Sequence, residues 1–296
     1  MNSPAEPVGE PDRASAQDGT LGFTVTQQQR LRELGAHDEQ IGGGFPDASE
    51  RDAAFKSAER ELVQEGRRRL AALRDDERRP ALRTLESALS EALRTAGLVE
   101  VVTPHIITRD ALEKMGIPRD DPLADQIFWI DARHCLRPML APNLYTVMRR
   151  LTRTWKRPFT IFEIGTCFRR DTQGSRHLDE FTMLNLVELG TALDDRRPRL
   201  DELAVLVLGA AGISEYELVG ETSGVYGDTV DVLVAGLEVC SAAMGPHQLD
   251  DAWGVTDPWV GLGFGLERLL VARDAHPNIE RVARSLSYLD GVRLFL

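Results

Sequence analysis

Cysteine is scarce in this sequence. The three present, Cys135, Cys167 and Cys240, lie far apart and form no C-x-x-C pair. A disulfide framework or a structural zinc site needs more thiols or closer spacing, so reduced thiols are expected. Long apolar runs are absent too: no stretch reaches the ~18 uncharged apolar residues of a membrane-spanning helix. Residues 1–20 carry Pro, Gly, Ser, Asp and Glu and no apolar segment. That argues against a secretory signal and for a cytoplasmic protein with no membrane partner. A surplus of positive charge is also missing. The net charge of -12 speaks against wholesale, non-specific nucleic-acid binding.

What is present is an ordinary globular balance over 296 residues, enough for one large domain or two modest ones. Basic residues are unevenly spread. Arg67, Arg68, Arg69, Arg74, Arg78, Arg79 and Arg83 crowd one segment; Arg149, Arg150, Arg153, Lys156 and Arg157 crowd another. On charge alone these are solvated helix faces, and RNA contact needs independent support.

Residues 1–20 have the composition of a disordered tail. Thr26 is placed to cap a short helix that stops near Gly35. Gly42 to Pro46 is a loop, and a helix from about Ser49 to Leu73 follows. Pro80 suits the first turn of the next helix, with Leu82, Leu85, Leu89, Ala92 and Ala96 as its apolar stripe and Gly97 as its stop. After Gly97 the texture changes. A short strand is expected over Val99–Thr103, a helix from Thr108 to Met115, and another opening at Pro142 with Leu144, Val147, Met148, Leu151 and Trp155 inward. Strands are expected over 159–169, 180–189, 223–234 and 237–243, and helices over 201–212 and 265–273. The class is α+β: an antiparallel sheet flanked by helices, preceded by an arginine-rich helical region.

Two stretches carry chemistry. The first runs Phe162-Glu163-Ile164-Gly165-Thr166-Cys167-Phe168-Arg169-Arg170, then through a polar loop to His177-Leu178-Asp179-Glu180-Phe181-Thr182-Met183-Leu184-Asn185. Arg169 closes the first strand, where a fixed guanidinium can grip a phosphate bidentately. The period of two puts Phe181, Met183, Asn185 and Val187 on one face: an aromatic plate, an amide and an apolar wall. An ordinary hairpin explains any one of these residues and explains the combination poorly. The second stretch is Gly261-Leu262-Gly263-Phe264-Gly265-Leu266-Glu267-Arg268. Alternate glycines clear one strand face so that something flat can lie against the backbone. The spacing misses the dinucleotide fingerprint, which needs glycine at Leu266.

Together these stretches resemble motifs two and three of the class II aminoacyl-tRNA synthetases, with Ala88–Pro104 in the place of the first motif. The resemblance narrows further. Cys135 to Tyr145, His177 to Asn185, Val225 to Val232 and Trp259 to Leu270 all resemble the pyrrolysyl-tRNA synthetases, and the likeness runs from about Thr24 onward.

That resemblance implies ATP-dependent ligation of pyrrolysine, or a close N6-acylated lysine, to its cognate tRNA through an aminoacyl-adenylate. It gives Arg169 the α-phosphate of ATP and Arg268 the γ-phosphate. Phe181 would stack on adenine, with Asp171, His177 and Leu178 completing the nucleotide site. Glu238 and Ser241 would hold Mg²⁺, making Arg169, Arg268 and Glu238 the catalytic set. Carboxylate attack on the α-phosphorus builds negative charge, for which fixed arginines and Mg²⁺ are suited. Strict alternation puts Glu238 beside Cys240 rather than Ser241, so a bulge or bend is expected there. Only one carboxylate is in that place, so water and phosphates must supply most magnesium ligands.

The amino-acid pocket implied by the resemblance is lined by Ala141, Leu144, Tyr145, Met148, Asn185, Val187, Tyr226, Ala243 and Trp259. Leu144 and Met148, four apart on one helix, present an apolar wall. Asn185 is its main polar group, and Tyr226 would close over the ring. Val187 is a departure, since family members often carry cysteine there, and it bears on the side chain accepted. Many members also carry a separate RNA-binding module ahead of the catalytic part, and this chain resembles the short form. The expected divisions are a tail (1–20), a helical tRNA-contacting region (21–97), a catalytic domain (98–280) and a C-terminal tail (281–296) that helps grip tRNA. A homodimer is expected from the resemblance. The alternatives are a class II synthetase for another amino acid, or an inactive synthetase-like tRNA-binding protein.

Overall fold

The computed structural model describes residues 20–170, 178–223, 225 and 227–295, and its contacts divide the chain into two units. The first holds the residues up to Asp76 together with Val292 onward; the second runs from Glu77 to Gly291.

Helices build the first unit. Helix α1 (Val25–Leu34) starts at Thr24, whose hydroxyl accepts from the Gln27 N–H at 3.2 Å while Gln27 Oε1 accepts from the Thr24 N–H at 3.0 Å. This reciprocal pair is a capping box and sets the start two residues ahead of the expected Thr26. Gly35, at φ 105°, closes the helix in the left-handed region that glycine adopts without strain. After α2 (Asp38–Ile41) comes α3 (Ala48–Ala72), capped by Asp47, which accepts from the Glu50 N–H. Phe23, Leu31, Ala36 and Ile41 make a small core with Phe45, Phe55 and Leu62 against it. Arg67, Arg68 and Arg69 are exposed on α3, and Arg68 pairs with Glu65 at 2.7 Å.

In the second unit, α4 (Ala81–Thr95) buries Leu85, Leu89 and Leu93; Ala96, expected in the stripe, is exposed beyond the helix end. Those leucines belong to the core of the sheet. The sheet has seven strands: β1 (Val99–Glu100), β4 (Phe159–Phe168), β5 (Glu180–Leu189), β6 (Glu217–Ser223), β7 (Gly227–Val234), β8 (Leu237–Gly245) and β9 (Trp259–Gly265). A separate pair, β2 (Ile106–Thr108) and β3 (His134–Leu136), stands outside it. Spatial order is β1-β4-β5-β9-β8-β7-β6, antiparallel throughout except that β1 runs parallel to β4.

Three sequence expectations shift. The strand expected over 223–234 starts later, as β7, and β6 ahead of it was not expected; β6 carries Glu217, Gly220 and Glu221 at the sheet edge, so no apolar alternation announces it. The strand at 99–103 is only Val99–Glu100. The helix expected from Asp201 starts earlier, as α7 (Arg196–Ala210), with Pro198 in its first turn.

Each sheet face buries a different set. Leu184, Leu186, Leu262 and Phe264 pack with α4, α7 and α9 (Leu266–Asp274) in the larger core. The alternate residues look the other way. Val187, Leu189, Ala243 and Trp259 pack there with Leu144, Tyr145 and Met148 of α6 (Ala141–Leu151) and with Trp253 of the short α8 (Asp250–Trp253). Helix α5 (Arg109–Lys114) is capped by Thr108 as expected. Among the described residues no helix is long and apolar enough to cross a membrane.

Candidate active site

The face of the sheet opposite the larger core carries the site. Strand β5 pairs with β9 so that Val187, Asn185 and Met183 lie opposite Gly261, Gly263 and Gly265. The alternate glycines keep this face low: a Cβ at Gly263 would stand 3.2 Å from the Asn185 amide nitrogen. Over it lies a cavity of ≈ 340 Å³. Ala141, Leu144, Tyr145, Met148, Asn185, Val187, Ala243 and Trp259, from one helix and three strands, all line it. Tyr226, the ninth residue anticipated there, lies outside the described residues.

A second cavity, ≈ 300 Å³, is lined by Arg169, Leu178, Phe181, Glu238, Ser241 and Arg268. Asp171 and His177, anticipated with them, lie outside the described residues. Arg169, Met183, Ser241 and Gly263 line both cavities, so the two adjoin. Arg169 donates from Nε to the Pro138 carbonyl at 2.8 Å, and its guanidinium stands 5.3 Å from the Phe181 ring centre. Arg268 donates to the Glu238 carbonyl at 3.1 Å and approaches its carboxylate at 3.3 Å.

The anticipated irregularity in β8 is present. Val232 pairs with Cys240 and Leu233 with Glu238, leaving Val239 as the extra residue of a bulge. Ser241 pairs with Asp231, so Glu238 and Ser241 come to the same side as Leu233 and Asp231. The donor set there suits magnesium: hard oxygens from one carboxylate and one hydroxyl, and on the paired strand a buried Asp231 Oδ1 with no hydrogen-bond partner among the described residues. Among the described residues no group of three or more His, Cys, Asp and Glu could hold a metal ion, so phosphate and water oxygens would have to complete the shell of any ion bound there.

Several residues that support the site were given no role by the sequence reading. Arg137 is wholly buried and donates to Glu163 at 2.7 Å, to the Thr103 hydroxyl at 3.0 Å and to the Thr166 carbonyl at 2.8 Å. Glu163 accepts in turn from the Thr103 N–H and hydroxyl. This network ties the Thr103-Pro104 turn to β4, and Asn143 of α6 joins it at Thr103. Glu267, at the start of α9, accepts the Thr182 N–H with both oxygens at 2.9 Å and lies 3.6 Å from Arg284. Burial pushes its carboxyl above the usual range, while the Thr182 amide and Arg284 oppose that. Asp250, also buried, accepts from Tyr145 and Trp259. Cys135, Cys167 and Cys240 are all buried free thiols.

An antiparallel sheet with a glycine-cleared central strand leading into a Glu-Arg helix, beside a hairpin carrying Arg169 and Phe181, defines the catalytic core of a class II aminoacyl-tRNA synthetase. The comparisons agree. The structure matches two solved structures of pyrrolysyl-tRNA synthetase from Desulfitobacterium hafniense at TM-score 0.89. Identity is 58% and 56%, over 93% and 94% of this chain and 99% of each of theirs. The chain belongs to the pyrrolysyl-tRNA synthetase family and is an aminoacyl-tRNA ligase. More distantly, Giardia lamblia prolyl-tRNA synthetase shares the fold at TM-score 0.55 and 13% identity, over 64% of this chain and 44% of its own. A model of the phenylalanyl tRNA synthetase beta chain CLM domain matches residues 71–207. The phenylalanine–tRNA ligase beta subunit of Symbiobacterium thermophilum is 33% identical over 109 residues, 35% of this chain; the match spans 12% of that subunit's length.

Proposed function

We propose that this ligase activates pyrrolysine, or a close N6-acylated lysine, with ATP and transfers it to a ribose hydroxyl at the 3′ end of its cognate tRNA. The observation that carries this reading is the junction of the two cavities. An apolar chamber with Asn185 on its strand floor meets a charged one through Arg169 and Ser241. A long aliphatic side chain suits the first, and a polyphosphate suits the second.

In the first step a carboxylate oxygen of the amino acid bonds to the α-phosphorus. The bond to the bridging oxygen breaks, and pyrophosphate leaves with the electron pair. Arg169 holds the α-phosphate, where negative charge accumulates, and Arg268 holds the γ-phosphate. Both guanidiniums are anchored by backbone carbonyls, so little reorganisation is required. Phe181 and Leu178 form the adenine wall, with Asp171 and His177 assigned there by resemblance. Glu238 and Ser241 would hold Mg²⁺ together with the phosphates, and the ion would supply charge neutralisation on the polyphosphate. In the second step the tRNA hydroxyl attacks the activated carbonyl and AMP departs. No side-chain nucleophile takes part. The fold supports an adenylate route: the Giardia enzyme that shares it was solved in complex with prolyl-adenylate.

Asn185 bonds the side-chain amide of the substrate, and Tyr226 closes over its ring by resemblance. The exposed Arg67–Arg69 run on α3 is the proposed tRNA contact, helped by residues 281–296. A homodimer in the cytoplasm is carried over from the family. A second reading, an aromatic amino acid, is favoured by the phenylalanyl-type match over residues 71–207. Mass-spectrometric capture of the adenylate formed from a cell-extract amino-acid pool separates the two. The mass of an acylated lysine adenylate is expected, and a phenylalanyl-adenylate would install the second reading.

A further inference from the structure

Tyr145 and Trp259 line the amino-acid cavity, whereas Asp250 stands behind them, off its surface. The Asp250 side chain is buried and collects three donors. The Tyr145 hydroxyl donates to Oδ1 at 2.9 Å, the Trp259 indole N–H reaches both oxygens at 3.0 Å, and the His247 N–H donates to Oδ2 at 2.7 Å. The rings are also packed by one another. Tyr145 stacks on Trp253 at 5.3 Å and 12°, and meets Trp259 edge-on at 6.0 Å and 84°. A Cβ at Gly245 would collide with the Trp259 indole, so only glycine leaves room for this ring position.

A buried carboxylate is costly unless its lone pairs are taken, and here they are taken by wall residues of the pocket. The consequence falls on the cavity. With the hydroxyl of Tyr145 and the N–H of Trp259 turned toward Asp250, the two side chains meet the substrate with carbon. We propose that Asp250 is a positioning residue for amino-acid selection: it locks Tyr145 and Trp259 so that this wall is apolar and fixed in depth. It therefore favours a long side chain with an apolar far end over a short one. The proposal rests on the amino-acid reading above and goes beyond it by naming a residue that never touches substrate.

Asp250→Asn is the diagnostic change. An amide cannot accept from all three donors, because one of its positions becomes a donor itself. Tyr145→Phe removes one donor and keeps the ring. The measurement is ATP–pyrophosphate exchange by the full chain, kcat and KM separately, with a long ring-bearing N6-acyl lysine and with N6-acetyl lysine. Asp250→Asn is expected to raise KM for the long substrate by about tenfold or more, with kcat little changed, from the loss of charge-assisted hydrogen bonds. The long-to-short preference should fall with it. The double variant should be no worse than Asp250→Asn alone, since both act on one contact. Equal losses on both substrates, or fully additive losses, overturn the proposal. If Asp250→Asn does not fold by circular dichroism, Tyr145→Phe decides alone, and an unchanged preference then overturns it. The wild-type arm reports separately on the substrate reading. Should it activate no acylated lysine, that reading fails, and the preference is measured between its two best substrates instead.

Discussion

The two ends of the site are built by different means. At the proposed amino-acid end, Leu144, Tyr145, Met148, Val187 and Trp259 are almost fully buried, and the polar tips of Tyr145 and Trp259 are held from behind. At the proposed nucleotide end, Arg169, Phe181, Glu238 and Arg268 keep partial access to solvent, and both guanidiniums rest on carbonyl oxygens. A rigid apolar wall selects by shape, and each methylene it accepts or refuses is worth about 1–3 kcal/mol. Half-exposed cations select by charge and act on whatever carboxylate arrives. On the proposed function, identity of the amino acid belongs to one end and the phosphorus chemistry to the other.

The sharpest way to break that division is Arg169→Ala. Exchange should fall by about a hundred- to a thousandfold for every amino acid, since a preorganised charge on the reacting phosphate is lost. A loss confined to one amino acid would place Arg169 with the selecting wall instead. Asn185→Ala comes next. It should raise KM for an acylated lysine by roughly tenfold, the worth of one buried amide contact, and leave KM for ATP unchanged. A matching rise in the ATP constant would merge the two ends.

Arg67–Arg69→Ala should act outside both. Steady-state aminoacylation is expected to weaken several-fold and to fail more steeply as salt rises, while ATP–pyrophosphate exchange holds. Parallel loss of both would make the α3 run structural. The smallest effect concerns the thiols. Burial pushes Cys135 up to about 11 and Cys167 to about 12, and raises Cys240 as well. Iodoacetamide at neutral pH should leave all three unmodified in the native protein and label them once it is unfolded, as read by intact mass. Rapid native labelling of one would mark a wall less closed than its burial indicates.

The comparison also explains which parts were legible in advance. Strand β5 matches its expected bounds, and the face bearing Phe181, Met183, Asn185 and Val187 lines the two cavities, because alternation is a local property. The bulge at Val239 followed from requiring Glu238 and Ser241 to reach one place. Asp250 was not legible. Its partner Tyr145 is 105 residues away, and in sequence it is one acidic residue in a polar turn. The Arg137–Glu163–Thr103 network was hidden for the same reason, since buried ion pairs have no local pattern. Strand β6 escaped because an edge strand with Glu217, Gly220 and Glu221 lacks the apolar period.

The most direct test is ATP–pyrophosphate exchange by the wild-type chain across a panel of pyrrolysine, N6-acylated lysines, lysine and phenylalanine. The account predicts that kcat/KM for the long acylated lysines exceeds that for lysine or phenylalanine by at least about a hundredfold. Robust exchange with phenylalanine and none with any acylated lysine would contradict it.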